Sequence, residues 1–331
     1  MTYTALQTAL LGLTSYQIDQ ISSQVTKYLK LNEELKQTRP TVCPLCGTVD
    51  ARFIKKGLQA NKQRYQCKEC GRKFTYDTMQ ITAHSHQPID SWVTVIEDTL
   101  SLTSLDDTSE KISVCHETAF NMRHKLLAFM EIISESGAIL DELVEADETY
   151  ILESQKGVKC ESRKPRKHGE GATKRGLSKE QYCVCVASDR NDNLVATCVN
   201  RAKPSGDDLV NALSSHIIPQ SVLLCDGATA YNQLAELLEC KKIELVGHES
   251  YDRIYHLNTV NSLHSRIKEM LRQFRGVASK YLNRYLALFT IIASFAKSTV
   301  AESTDHIRHS LSVMREHITY ASSQTTGLLI I

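Results

Sequence analysis

Two Cys-x-x-Cys pairs, Cys43-Pro44-Leu45-Cys46 and Cys67-Lys68-Glu69-Cys70, are the residues best matched to a definite chemistry. Two tight turns, each delivering two thiolates, supply the four ligands of a tetrahedral zinc ion. Cys43, Cys46, Cys67 and Cys70 are therefore expected to hold one structural Zn2+. A site with all four positions filled by protein performs no catalysis. Gly71 lets the chain turn past the second pair, and Arg72 and Lys73 follow at once. A small basic zinc module points to nucleic acid. The plainer alternative is an ion that only holds a small fold together.

Oxygen ligands occur at three other places. Asp147 lies in the run Val144-Glu145-Ala146-Asp147-Glu148-Thr149-Tyr150, and Asp226 ends Leu223-Leu224-Cys225-Asp226-Gly227. Taken singly, the first reads as a solvent-facing strand residue and the second as a plain turn. The third place is a helix beginning at Asn258. On a helical wheel Val260, Leu263, Ile267, Met270, Leu271 and Phe274 fall on one side. Asn258, Asn261, His264, Ser265, Lys268, Arg272 and Arg275 are assigned to the other. Asn261 and Lys268 are two turns apart and point the same way. A face this rich in cations suits phosphates or metal-bound anions. Asp147, Asp226 and Asn261 together can seat one or two Mg2+ or Mn2+ ions, which prefer hard oxygen ligands. Two such ions serve an in-line phosphoryl displacement. Glu148 reads more readily as an exposed strand residue than as a partner that supports the metal site, and Glu269 as a weak substitute for Asn261. His256 and His264 read as surface histidines that order a water, meet phosphate or have no role.

Five segments position these residues. Residues 1–40 form a helical segment, closed by Arg39-Pro40. Residues 41–77 form a zinc ribbon, with short strands over 51–56 and 64–66 and a turn within 57–61. Residues 86–135 hold three helices, over 89–100, 104–112 and 117–130. Helix, short turn and basic helix is the helix-turn-helix plan, whose second helix enters a major groove; a plain three-helix bundle is the alternative. Arg123 and Lys125 on the last of these helices are expected to face DNA. Residues 140–298 form an α/β domain. Its strands run over 143–152, 182–188, 194–199, 222–225 and 243–246, and its helices follow Ser205 and span 229–238, 258–274 and 279–297. Three strands followed by alternating helix and strand imply a mixed sheet with flanking helices. A polar loop over 153–180 carries Lys164, Arg166 and Lys167, expected on DNA. Residues 299–331 are a tail.

At 331 residues the chain has room for two or three domains. Its net charge of +1 conceals local asymmetry: residues 41–76 carry eight Lys or Arg against two Asp or Glu, and residues 153–180 nine against four. Clusters like these attract phosphate whatever the total charge. The other seven cysteines show no framework spacing, and most lie in apolar runs and read as buried free thiols, which fits a reducing compartment. Cys183 and Cys185 read as two residues on one core face of a strand. No run reaches the ~18 apolar residues of a membrane span, and no signal peptide is evident, so a cytoplasmic location without membrane association is expected. Neither a Walker nor a dinucleotide glycine pattern occurs. Ser262 and His264 face different ways on one helix, with no nucleophile elbow, which argues against a Ser-His hydrolase.

Zinc ribbon, helix-turn-helix, Glu-Ala-Asp-Glu-Thr-Tyr, Cys-Asp-Gly and then the block from His256 to Lys268 make a sequence that resembles insertion-sequence transposases of the ISXO-like group. The block from Gly276 to Leu282 adds to the likeness, which covers about residues 40–297. The resemblance implies an RNase H-like catalytic domain with a DDE-type triad. In some members the last position is Asn, followed seven residues later by Lys, and Asp147, Asp226, Asn261 and Lys268 match that variant. It further implies binding to double-stranded DNA at the terminal inverted repeats and at the target. It implies Mg2+- or Mn2+-dependent strand cleavage, and joining of the freed 3′-hydroxyl to the target. Lys268 would touch DNA near the cut, with Arg272 beside it. Pairing two ends calls for a homo-oligomer, at least a dimer on DNA. An Asn in place of Glu removes one negative charge from the metal site. The alternatives are a catalytically inactive or domesticated zinc-ribbon DNA-binding regulator, and a nuclease that cuts without joining.

Overall fold

The computed structural model describes residues 16–19, 23, 40, 43, 45–46, 48, 50–75, 78, 81–82, 84–135, 138–157, 171–245, 254–274 and 276–295. The chain divides into two compact units, one ending at Phe129 and the other running from Met130 to Ser294. Lys164, Arg166, Lys167, Arg275, the 299–331 tail and most of the expected helical segment 1–40 lie outside the described residues.

In the first unit, β1 (Phe53–Gln59), β2 (Lys62–Cys67) and β3 (Lys73–Thr75) form an antiparallel sheet in that order. The sheet closes because Phe53, Tyr65 and Phe74 bury together with Cys43 and Cys67. Phe53 meets Phe74 edge-on, with ring centroids 5.5 Å apart. The hairpin extends beyond the expected strand ends and reverses at Ala60 and Asn61, both at positive φ (48° and 61°). A two-residue hairpin turn calls for that backbone. Gly71, at φ 72°, takes the left-handed turn after the second cysteine pair, and its N–H donates to the Cys67 carbonyl.

Three helices follow: α1 (Ile89–Leu100), α2 (Leu105–Lys111) and α3 (His116–Glu135). Ser104 caps α2, its Oγ accepting the Asp107 N–H at 3.1 Å. Lys111 Nζ reaches back to Asp98 of α1 at 2.5 Å. Every α3 residue from Met122 to Met130 is buried. A helix buried all round leaves no charged face outward, and this corrects the expectation that Arg123 and Lys125 face DNA. Arg123 donates to Thr108 Oγ1 at 2.9 Å. Lys125 Nζ sits over the Trp92 ring, 5.8 Å from its centroid, and burial pushes its pKa down to about 8. The exposed part of α3 is its start, at His116 and Glu117.

The second unit contains β4 (Leu143–Leu152), β5 (Gln181–Ser188), β6 (Leu194–Arg201), α4 (Gly206–Leu213), β7 (Val222–Cys225), α5 (Ala230–Leu237), β8 (Lys241–Glu244), α6 (Asn258–Gln273) and α7 (Leu282–Phe295). The strand order is β6-β5-β4-β7-β8. β4, β5 and β6 pair antiparallel, while β7 joins β4, and β8 joins β7, in parallel. This is the mixed, RNase H-like sheet. β8 starts two residues before the expected strand, because its Lys241 and Lys242 belong to a charged edge rather than to an apolar run.

One face of the sheet is apolar. Val144 and Ala146 of β4, Cys185 and Ala187 of β5, and Leu223 and Cys225 of β7 pack against Leu209 and Leu213 of α4 and Tyr231 and Leu234 of α5. Cys183 and Cys185 are both buried, as expected for one core face. Side chains alternate along a strand, so Glu145 and Asp147 point to the opposite face, where α6 crosses β4 and β5. No helix among the described residues is long and apolar enough to cross a membrane.

Candidate active site

β4 and β7 run side by side, with Glu145 opposite Leu224. Carrying that register on by two residues sets Asp147 beside Asp226, just past the carboxyl end of β7. This is where open α/β sheets gather their sites. Asp226 Oδ1 accepts the Ala228 N–H at 2.9 Å, which bends the chain away and leaves the other oxygen free of that turn. Asp147, Glu148 and Asp226 each offer a carboxylate oxygen, and the three oxygens lie within 4.8 Å of one another. Glu148 is thus half-buried in the cluster, not the exposed strand residue the sequence suggested. It starts from the α5 face, but β7 stops at Cys225, so nothing in that strand walls it off. Its Oε1 is buried and completes no hydrogen bond, although the Tyr231 hydroxyl stands near it. Three converging hard oxygens, one of them orphaned, can hold a divalent cation.

The helix that crosses Asp147 is set in place by Glu145. Its carboxylate is 1% exposed, and Oε2 accepts the N–H of Thr259 at 2.9 Å and of Val260 at 3.2 Å. Oε1 accepts the Thr259 hydroxyl at 2.8 Å and lies 3.3 Å from His256 Nδ1. Arg190 pairs with Oε1, and its Nη2 donates to the Ile254 carbonyl at 2.7 Å. The first N–H groups of a helix have no partner within it, and the residue before α6, Leu257, has no side-chain acceptor. Glu145 fills that role from the central strand. Removing one partner of such a buried pair strands a charge, at a cost of about 3–5 kcal/mol.

α6 buries Val260, Leu263, Ile267 and Met270, as the wheel required, and exposes Asn261, Lys268 and Arg272. His264 is buried too, with Nδ1 3.9 Å from Asp147 Oδ2, which corrects its assignment to the polar face. Asn261 stands one turn before His264 on the same helix. Arg272 is partnered by Glu269 at 3.0 Å. The signal for His264 was present: it lies only about 20° round the wheel from Leu271. For Glu145 and Arg190 the sequence carries no local signal, since their pairing spans 45 residues.

In the first unit the cysteines also converge. Cys43 and Cys70 Sγ are 3.8 Å apart, Cys46 and Cys67 Sγ 3.9 Å, and all four lie within 4.8 Å of one another. A tetrahedron with metal–sulfur bonds of about 2.3 Å has edges near these lengths, so the cluster can hold a metal ion.

Residues 139–290 match the family model of the ISXO2-like transposase domain. Over 257 residues, 75% of this chain and 84% of the relative, the sequence is 26% identical to an uncharacterized protein in transposable element ISH50 of Halobacterium salinarum. Among solved structures, the Mos1 strand transfer complex is 15% identical over 61% of this chain and 74% of that one, with a TM-score of 0.23. The mariner Mos1 paired end complex with Mg is 15% identical over 62% and 78%, with a TM-score of 0.22. The fold of the second unit rests on its own strand order.

Charge at the carboxylate cluster is tuned by burial. Desolvation pushes Asp147 up to about 6, with Asp226 adding to the shift and the Glu148 N–H opposing it. Glu148 rises to about 7, again mainly through burial, with Tyr231 opposing. Burial, then the charge of Lys268, pushes His264 down to about 4. At neutral pH His264 is therefore uncharged, and its approach to Asp147 is a polar contact rather than an ion pair.

Folded Asp147 and Glu148 hold protons more tightly than the unfolded chain does. In metal-free protein the stability these two carboxylates contribute is therefore lost as pH rises from about 4 to 7, and His264, with its lowered pKa, offsets part of that loss. A bound cation must displace those protons. Thermal unfolding with and without Mn2+ should show a larger stabilisation at pH 7.5 than at pH 5.5, and Asp147→Asn should flatten that difference.

Proposed function

We propose that this chain is a DNA transposase of the DDE type with Asn in the third position, which cuts the ends of its element and joins them to target DNA. The observation that carries the reading is the placing of Asp147 and Asp226 side by side on neighbouring parallel strands, under a helix that offers Asn261 and Lys268. In this reading Asp147, Asp226 and Asn261 hold Mg2+ or Mn2+, with Glu148 at the rim. Bound there, the cations activate the attacking oxygen and stabilise the leaving one. The protein's own groups do the positioning. Lys268, exposed two turns beyond Asn261, meets a phosphate beside the scissile bond, and Arg272 meets the next stretch of backbone. Neutral His264 packs behind Asp147 without adding positive charge to the cation site. Water and then the freed 3′-hydroxyl are the nucleophiles, so no side chain forms a covalent intermediate.

The ribbon takes Zn2+ on Cys43, Cys46, Cys67 and Cys70. Its exposed Lys55 and Lys56, with half-buried Lys62 beside them, form a basic element for binding terminal repeats as double-stranded DNA. Lys164, Arg166 and Lys167 add charge for the same partner. Buried Arg123 and Lys125 have no part in it. Two ends and one target call for at least two copies of the chain on DNA.

Alanine at Asp147 or Asp226 should lower cleavage and joining of labelled ends by at least about a thousandfold, while leaving end binding within about twofold. Variants that still cut like the parent would reduce the chain to a DNA-binding regulator, and parent protein that cuts without joining would make it a nuclease. Chelation of the ribbon metal, or Cys67→Ser, should release one zinc per chain, read by metal analysis. End affinity should then fall about tenfold or more, while Mn2+ binding by the transposase domain persists.

A further inference from the structure

Glu145 has no place among the residues that hold cations, yet it is the most elaborately bonded carboxylate described. It is fully buried on the central strand. It accepts two backbone N–H groups and one hydroxyl from the first turn of α6, and it pairs with Arg190. Arg190 in turn holds the Ile254 carbonyl ahead of that helix. One strand residue thus fixes both the approach to α6 and its opening turn. Asp147 is two residues further along the same strand and projects from the same face. Asn261 is one residue beyond Val260, the last backbone N–H that Glu145 holds.

We infer that Glu145 is a positioning residue: its grip on Thr259 and Val260 sets the register of α6 against β4 and so brings the Asn261 amide to the cation site at Asp147. An ordinary helix cap stabilises a helix wherever the helix lies. This one ties the helix to the strand that carries the first catalytic carboxylate. Loss of the tie leaves Asp147 and Asp226 where they are, since both belong to the sheet, and lets only the helix-borne ligand drift. The consequence is selective: weaker cation binding at the site, with little change in DNA-end binding.

The inference rests on Asn261 being the third ligand, and a double-mutant cycle separates the two ideas. Glu145→Ala should raise the Mn2+ concentration for half-maximal cleavage about tenfold, as loss of an outer partner of a metal ligand does, with end affinity within about twofold of the parent. Asn261→Ala should raise it at least as far. Adding Glu145→Ala to Asn261→Ala should then change it by less than about twofold, because both act through one group. A purely structural role predicts instead that the two effects multiply, which would overturn the inference. If Asn261→Ala shifts the midpoint and Glu145→Ala does not, the inference alone fails. If Asn261→Ala shifts nothing, the third-ligand reading fails and takes the inference with it. Should Glu145→Ala not fold, Glu145→Gln serves in its place, since it keeps an oxygen for Thr259 and Val260 but loses the charge facing Arg190. A shift that vanishes in the Asn261→Ala background supports the inference, and a shift that persists undiminished there overturns it. Direct Mn2+ titration by electron paramagnetic resonance, without DNA, gives the same comparison apart from cleavage.

Discussion

A buried carboxylate bonded to the start of a helix is the constraint on which the carboxylate cluster of the second unit depends. The opening N–H groups of α6 need acceptors, and Leu257 offers none from its side chain. Glu145 offers them from β4, with Arg190 balancing its charge. Because strand side chains alternate at about 3.4 Å per residue, the acceptor and Asp147 share one face at a fixed separation. The start of the helix and Asp147 are therefore measured from the same strand.

The two faces of the sheet divide the work. Against α4 and α5 the sheet presents Val144, Ala146, Cys185, Leu223 and Cys225, and this apolar layer holds β4 and β7 parallel and adjacent. Toward α6 it presents Glu145 and Asp147. Glu148 begins on the first face and rounds the end of β7 to join Asp147 and Asp226. That third carboxylate bears on the proposal that the amide at position 261 joins the site. An Asn brings an oxygen without charge, but three carboxylate oxygens within 4.8 Å keep the cleft strongly negative once their protons leave. Clustered carboxylates raised toward neutrality by burial are a mark of functional sites rather than of solvated faces.

Much of this was legible in the chain. The strand that carries Asp147, the apolar run ending in Asp226, the amphipathic pattern of α6 and the paired cysteines all follow local rules of period and spacing, and the strands at 143–152 and 222–225 lie where those rules put them. What escaped was decided by tertiary contact. Arg123 and Lys125 looked like a DNA-facing surface because charge usually faces water, but α3 is enclosed on every side around them. Glu148 looked exposed because strict alternation ignores the reach of a long side chain past the end of a short strand. Glu145 looked like one more acid in a run of acids, since its partners are 45 and 114 residues away.

The claim that Asp147, Asp226 and Asn261 share a cation is tested most directly by anomalous X-ray scattering from crystals of the protein soaked in Mn2+. The account predicts a peak between the two aspartates, with a carboxylate oxygen of each and the Asn261 amide oxygen within about 2.2 Å of it or one water away. A peak elsewhere, or one at the aspartates with Asn261 turned beyond reach of any shared water, would contradict it.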